Sequence, residues 1–243
     1  MLQKLFKSYN FNFDEKTIKK FEDFLMMFKE KNNQINLSSL RDDESIIEKH
    51  FIDSLMLTKF IQLSGNIADI GTGGGFPLIP LAIYDNIQNK DSEINSGGQI
   101  AETQFYGIDS VAKKLKSIDE FALQLGLPNV QTIHSRCEDL GQDKEYRETF
   151  DFVLSRATAY FPTLLEYAIP LLKVGGIFIA YKMDNENEIL EGDVALIKLK
   201  SEIVYIKKYE LGGQKRSLVF VRKNEKTPKD YPRSSQIIAR KSL

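Results

Sequence analysis

Apolar residues in the first quarter of the chain recur at helical spacing. Ile18, Phe21, Leu25 and Phe28 share one stripe, which predicts a helix over 14–31 with Asp14 at its N-cap. Residues 32–43 are polar, anchored only by Ile35, Leu37 and Leu40. A second stripe starts at Glu44 and runs through Ile47, Phe51, Leu55, Leu57 and Ile61 until Ser64-Gly65 ends it.

From residue 67 the pattern changes to short apolar blocks separated by helices. Ile67 to Ile70 reads as a buried strand that runs into Gly71-Thr72-Gly73-Gly74-Gly75 and then a helix from Phe76 to Tyr84. Pro77 suits the first turn of that helix, where a missing N–H costs nothing. Further strands are predicted at 105–109, 130–134, 150–155 and 177–181, with helices at 111–125 and 160–172 between them. Lys173-Val174-Gly175-Gly176 reads as a helix stop. A helix over 186–199 precedes two late strands, 203–207 and 218–221, joined through Gly212-Gly213.

Strands alternating with helices predict an α/β fold with a mostly parallel, seven-stranded, Rossmann-like sheet. The last two strands predict an antiparallel hairpin at one edge. Residues 1–64 form a helical extension and 65–243 the Rossmann-like domain, the two making one unit. Residues 85–104 are polar, without apolar period, and are expected to form a mobile surface insertion.

Composition narrows the function classes. The chain has 243 residues, 42% of them hydrophobic, which excludes global disorder. No apolar run approaches the ~20 residues of a membrane span, and Met1 to Phe13 lacks a signal-peptide pattern, so a cytoplasmic protein without a membrane partner is expected. One cysteine and two distant histidines argue against a disulfide framework or a metal site. The net charge of −1 hides an asymmetry: residues 1–197 carry 20 Lys and Arg against 30 Asp and Glu, whereas 198–243 carry 13 against 4. A +9 end on a −10 body is a footprint of polyanion contact, or simply a lysine-rich solvated surface.

The glycine loop carries the strongest chemistry. Gly71, Gly73 and Gly75 between strand and helix allow a ligand to approach the main chain. Their spacing is one residue shorter than the dinucleotide fingerprint. With Asp69 two residues before the first glycine, it suits a ligand without phosphate, such as S-adenosylmethionine. Asp109 closes the second strand, where a carboxylate accepts hydrogen bonds from ribose hydroxyls; it can also cap the helix that follows. Ser135 to Asp139 follow the third strand and either meet an adenine or form an acidic capping loop. Arg156 ends the fourth strand and must pair with something: a cofactor carboxylate, a substrate, or an internal acid such as Asp69 or Glu138. Lys182 ends the fifth strand, facing either the same cleft or solvent. His50 and Asp53 lie three residues apart on one helical face, as a helical pair or as polar contacts over the cleft mouth. No general-base constellation stands out.

Several segments together resemble the bacterial RsmG family, also called glucose-inhibited division protein B, which comprises 16S ribosomal RNA guanine-N7 methyltransferases. They are Asn36 to Asp42 with His50 to Leu55, Asp69 to Pro77, Asp109-Ser110 with Lys113-Lys114, Ser135 to Glu138, Ser155-Arg156-Ala157, Leu171 to Gly176 and Tyr231-Pro232-Arg233. The resemblance covers nearly the whole chain. It implies S-adenosylmethionine contacts at Gly71, Phe76, Cys137, Glu138 and Arg156. The sequence departs from the family pattern at Leu78 and Met183, where glycines are usual, in the tail 234–243, which lacks a Gly-Pro step, and in the longer insertion.

The resulting expectation is a monomeric methyltransferase acting on 16S ribosomal RNA or the small ribosomal subunit. Arg156 positions the reacting groups, and His50, Asp53, Lys182, Arg222, Lys223, Arg233 and Lys241 contact the RNA. The alternatives are a methyltransferase for a small molecule or protein, a nucleotide-binding regulator, and a non-catalytic RNA-binding module. Neutralising Arg222, Lys223, Arg233 and Lys241 is the direct test of the basic end.

Overall fold

The structure, a computed structural model, describes residues 1–96, 103–156 and 159–243, with backbone alone for 88–96. It opens with α1 (Leu2–Ser8) and α2 (Glu15–Ile35). Asp14 caps α2 by accepting from the Thr17 N–H at 2.8 Å. One helical run then comprises α3 (Asp43–Ile46), a π-helical stretch (Ile47–Ile52), α4 (Asp53–Leu55) and a 3₁₀ turn (Met56–Lys59). The sheet elements follow: β1 (Asn66–Ile70), α5 (Leu78–Ser96), β2 (Gln104–Asp109), α6 (Ala112–Leu125), β3 (Val130–His134), α7 (Cys137–Leu140) and β4 (Phe150–Arg156). After α8 (Phe161–Ala168) come β5 (Leu172–Met183), α9 (Glu186–Leu190), α10 (Asp193–Lys198), β6 (Ser201–Leu211), β7 (Gln214–Lys223) and α11 (Ser235–Arg240).

The seven strands lie in the order β3-β2-β1-β4-β5-β7-β6. β7 runs antiparallel to β5 and β6, and the other neighbours are parallel, which confirms the predicted α/β sheet with its edge hairpin. The order reverses between β1 and β4. The connections leaving their carboxyl ends therefore run to opposite faces of the sheet and open a crevice, the usual place for a ligand in an open α/β sheet.

Three elements differ from the sequence pattern for identifiable reasons. The helix after the glycine loop continues to Ser96, into the expected insertion 85–104, because no proline or glycine interrupts residues 85–96; of the rest, 97–102 lie outside the described residues, Thr103 is buried and Gln104 already belongs to β2. Lys173 to Gly176 are not a helix stop. Helix α8 ends at Ala168, two residues before Pro170, and the two glycines sit inside β5, where the register with β4 shifts between Phe150 and Phe152. The hairpin strands are longer than their apolar blocks: the edge strand β6 mixes exposed and covered positions, while β7, paired on both sides, carries a buried run from Ser217 to Val221 flanked by exposed Lys215 and Arg222. Gly212 and Gly213, at φ 54° and 72°, form the two-residue turn between them.

One face of the sheet is covered by α1, α2, the 43–59 run, α5 and α6, and the other by α7, α8 and α10. On the first face Phe24 is fully buried, with ring centroids 5.1 Å from Phe51, 5.5 Å from Phe76 and 5.4 Å from Phe121. It joins the helical extension to the glycine loop and to α6. Truncating it removes contacts on three sides, so Phe24→Ala should destabilise the protein by about 3–5 kcal/mol in urea unfolding. A loss below about 1 kcal/mol would show that the extension does not depend on this cluster.

Candidate active site

Four strand ends and two helical layers converge on a cleft of about 600 Å³, within the size range of small-ligand sites. Its floor is the loop after β1. The Gly71 and Thr72 N–H groups donate to the Ile108 carbonyl at 2.8 and 3.1 Å, which clamps the loop to β2. Gly73, at φ 57°, points its N–H at Asp109 Oδ2, 3.1 Å away. A side chain at Gly74 would stand 2.9 Å from the Phe28 ring, so only glycine lets the loop pass beneath the helical extension. Gly75 turns into α5 against Ile79 and does not line the cleft.

Asp109 lines the cleft at the end of β2. Its Oδ1 accepts from the Val111 N–H at 2.9 Å while Oδ2 holds Gly73, so it both starts α6 and shapes the loop. Each oxygen keeps a lone pair for a further donor. Ser135, Arg136, Cys137 and Glu138 form the adjoining wall. Burial and the neighbouring Glu138 push the Cys137 thiol up to about 12, so it stays protonated.

Asp69 is different. It is fully buried behind the loop and does not line the cleft. Its carboxylate approaches the Thr72 hydroxyl and the Leu78 N–H without closing a hydrogen bond of normal geometry. Burial raises its pKa from 3.8 to about 7, against the pull of nearby Arg156.

The opposite wall is built around Arg156. Its guanidinium donates to the Lys49 carbonyl at 2.6 Å and to Asp53 Oδ2 at 3.2 Å, and meets His50 Nδ1 at 2.9 Å. It also lies 5.4 Å from the Phe76 ring centroid. Because Nδ1 faces a donor, it must accept, and His50 carries its proton on Nε2, 2.8 Å from Ser38 Oγ. Burial, then Arg156, hold the imidazole down at about 3, so it is neutral at physiological pH. His50, Phe76 and Arg156 line the cleft together.

Asp53 is not over the cleft mouth. It is fully buried, accepting from Arg156, from Arg216 at 3.0 Å and from the Tyr209 hydroxyl at 2.7 Å. The ion partner of Arg156 is thus Asp53, not Asp69 or Glu138. Arg216 and Tyr209 belong to the edge hairpin, and no local motif marks them; only the pairing of a distant hairpin with the helical run brings them here.

The other basic residues singled out in the sequence lie elsewhere. Lys182 donates to the Ala159 carbonyl and pairs with Glu188, which in turn accepts from the Phe161 N–H at the start of α8. Ala157, beside Arg156, lies outside the described residues. Lys223 has no exposed side-chain area; it pairs with Glu148 and donates to the Ile169 and Leu172 carbonyls, so RNA cannot reach it. Arg222 pairs with Glu202 and sits opposite Ile177, at the end of the sheet away from the cleft. The six residue steps from Ile177 to Met183 span about 20 Å. Arg233 is tied through three contacts to the buried carboxylate of Glu166. Lys241 is exposed just past α11, and its carbonyl accepts from Arg233. The sequence reading missed α11, whose Ser235 and Ala239 line the cleft.

A mostly parallel sheet with one antiparallel strand, a glycine loop at its crossing point and an acid at the end of the neighbouring strand make up a Rossmann-like methyltransferase architecture. Solved structures share this fold: a SAM dependent methyltransferase from Aquifex aeolicus (TM-score 0.51, 18% identity, 80% of this chain and 98% of that one), and M. jannaschii TYW2 in complex with AdoMet (TM-score 0.53, 15% identity, 76% and 79%). Residues 17–219 match the model of the GidB family, rRNA small subunit methyltransferase G. The ribosomal RNA small subunit methyltransferase G of Desulfitobacterium hafniense is 42% identical over 93% of this chain and 89% of its own length. That of Clostridium tetani is 37% identical over 95% and 92%. The chain belongs to this family.

Two outcomes test the electrostatics. Asp69 has a raised pKa, so the fold disfavours its ionised form; the penalty is absent below about pH 4 and complete above about pH 7. Asp69→Asn should therefore raise stability by about 1–4 kcal/mol at alkaline pH and leave it nearly unchanged in acid. Equal effects at both ends of the range would contradict the assignment. Asp53→Ala leaves two guanidinium groups without their anion and should cost about 3–5 kcal/mol in denaturant unfolding.

Proposed function

We propose that the protein transfers the methyl group of S-adenosylmethionine to N7 of a guanine in 16S ribosomal RNA. The observation that carries this reading is the cleft itself: loop, Asp109 and the 135–138 wall on one side, Arg156 and neutral His50 on the other. Asp109 is placed for the ribose hydroxyls, and Cys137-Glu138 for the adenine. Gly71 to Gly73 and the Arg156 guanidinium fit the amino-acid end. When bound, the sulfonium supplies an electrophilic methyl carbon and a neutral thioether leaving group. Held by Gly71 to Gly73, Asp109, Cys137-Glu138 and Arg156, that group would supply the methyl carbon to the N7 lone pair of a guanine placed on the Arg156 side of the cleft.

N7 has no proton to lose, so placement rather than general-base catalysis is what the residues must provide. As charge develops on guanine, it does so in a cleft whose cofactor side carries the acids Asp109 and Glu138. Asp53 is shared between Arg156 and Arg216, so that cluster keeps one net positive charge, which the carboxylate at the amino-acid end of the ligand would offset, and His50 adds none. The target base is unpaired or flipped to enter such a cleft. Lys114 and the exposed Arg136, both on the cleft lining, are the phosphate contacts favoured by position, in place of the C-terminal basic residues.

The finer assignments belong to the same proposal: the partner is 16S ribosomal RNA or the small ribosomal subunit, the protein acts as a monomer, and it works in the cytoplasm. Among the described residues no helix is long and apolar enough to cross a membrane. Mapping modified bases of 16S RNA with and without the gene tests the substrate. Loss of one N7-methylguanine is expected; an unchanged map would favour a small-molecule or protein acceptor. Lys114→Ala and Arg136→Ala should each weaken RNA binding and reduce the salt slope by about 1.

A further inference from the structure

The last stretch of the chain is built into the cleft in a way its composition does not suggest. After β7 it crosses the surface toward α7 and is fastened at each step. Arg147 donates to the carbonyls of Thr227, Pro228 and Tyr231, at 2.8, 3.2 and 2.8 Å. Gln142 donates to the Pro232 carbonyl at 2.8 Å, and a Cβ on Gly141 would stand 2.7 Å from the Pro232 ring. Arg233 then locks onto the fully buried Glu166 through its backbone and guanidinium. Burying that carboxylate is costly, and Arg233 is its ion partner, so the segment is held rather than draped.

This fastening fixes where α11 can go. Ile238 is its buried anchor, while Ser235 and Ala239, four residues apart, share one face. That face lines the cleft, beside Tyr167 of α8 and Cys137-Glu138 of α7. On its other side the same helix borders a second groove of about 560 Å³, which also touches Glu138. The helix is therefore a wall between two openings, at the end of the cleft where the β3 side would hold a base.

We infer that Ser235 and Ala239 of α11 are cofactor-binding residues, forming the wall over the adenine end of the site, with Arg233–Glu166 as the anchor that positions them. The inference rests on the proposed cofactor assignment and adds to it a binding element contributed by the C-terminal segment. The small side chain of Ala239 leaves room for a planar base against the 137–138 wall; a large one fills that room. The amino-acid end of the ligand, at Arg156, lies against the helical extension and is untouched by α11.

The test uses calorimetry with S-adenosylhomocysteine and with 5′-methylthioadenosine, which lacks the amino-acid end. The variants are Ala239→Trp and a chain lacking residues 234–243, each checked for an intact thermal transition. Ala239→Trp should weaken both ligands at least tenfold and by similar factors, because the clash is with the base they share. Removing 234–243 should do the same without altering the binding of a 16S RNA fragment. Wild-type affinity for both ligands in either variant overturns the inference, and so does a loss confined to S-adenosylhomocysteine. If the unaltered protein binds neither ligand, the cofactor assignment itself is what fails.

Discussion

A single buried carboxylate organises the centre of the molecule. Asp53 is fully buried, yet each of its oxygens is satisfied: Oδ1 by the Tyr209 hydroxyl, Oδ2 by Arg156 and Arg216. Desolvating three charges is expensive, and such a group persists only when its hydrogen bonds are complete. Completing them requires a helical run, a central strand and an edge hairpin to meet at one point. Tyr181 adds a further tie by donating to the Ser54 carbonyl at 2.8 Å. The π-helical stretch immediately precedes Asp53, so the wider turn presents the Lys49 carbonyl and His50 Nδ1 to the same guanidinium. The cleft wall is thus a consequence of how the sheet edge is attached.

The two histidine-side and loop-side charges are tuned in opposite directions by one cause. Burial drives His50 toward its neutral form and also drives Asp69 toward its neutral form, because it penalises whichever form is charged. Arg156 stands between them. It reinforces the effect at His50 and opposes it at Asp69. A single guanidinium therefore keeps the imidazole uncharged while drawing the carboxylate back toward ionisation, and the position of Arg156 is what couples the loop to the helical extension.

Much of this was legible in the sequence where the signal is local. The strand–glycine–helix grammar, Asp109 two residues before Val111, and the turn at Gly212-Gly213 all read correctly because neighbours in sequence carry the constraint. The basic end was legible only as an excess of charge. Its excess charge was real, but its charges are distributed by strand register and packing. Arg216 meets Asp53, Lys223 meets Glu148, Lys208 meets Asp184 and Glu186, and Arg233 meets Glu166. All of those acids lie in the acidic body. The asymmetry that looked like a polyanion footprint is to that extent an internal complementarity, holding the last strands and the tail onto the domain. Likewise α1 and α11 are too short to show a stripe, and only the finished fold gives their few apolar residues somewhere to go.

The departures from the family pattern yield to the same geometry. Leu78 stands where the resemblance implies glycine, at the first position of α5, and it is fully buried. Directly opposite is Gly107 of β2, where an added Cβ would lie 2.8 Å from a Leu78 methyl and 3.3 Å from the Thr72 methyl. The space that a glycine at 78 would leave is filled by leucine, and the room for that leucine is provided by a glycine across the crevice. Met183 is half exposed at the end of β5, paired with Arg216 through backbone alone, so the larger side chain extends to solvent without entering the Asp53 cluster. Neither Leu78 nor Met183 itself lines the cleft. What the sequence changes is the packing behind the glycine loop, while the loop keeps the hydrogen bonds to Ile108 and Asp109 that set its shape.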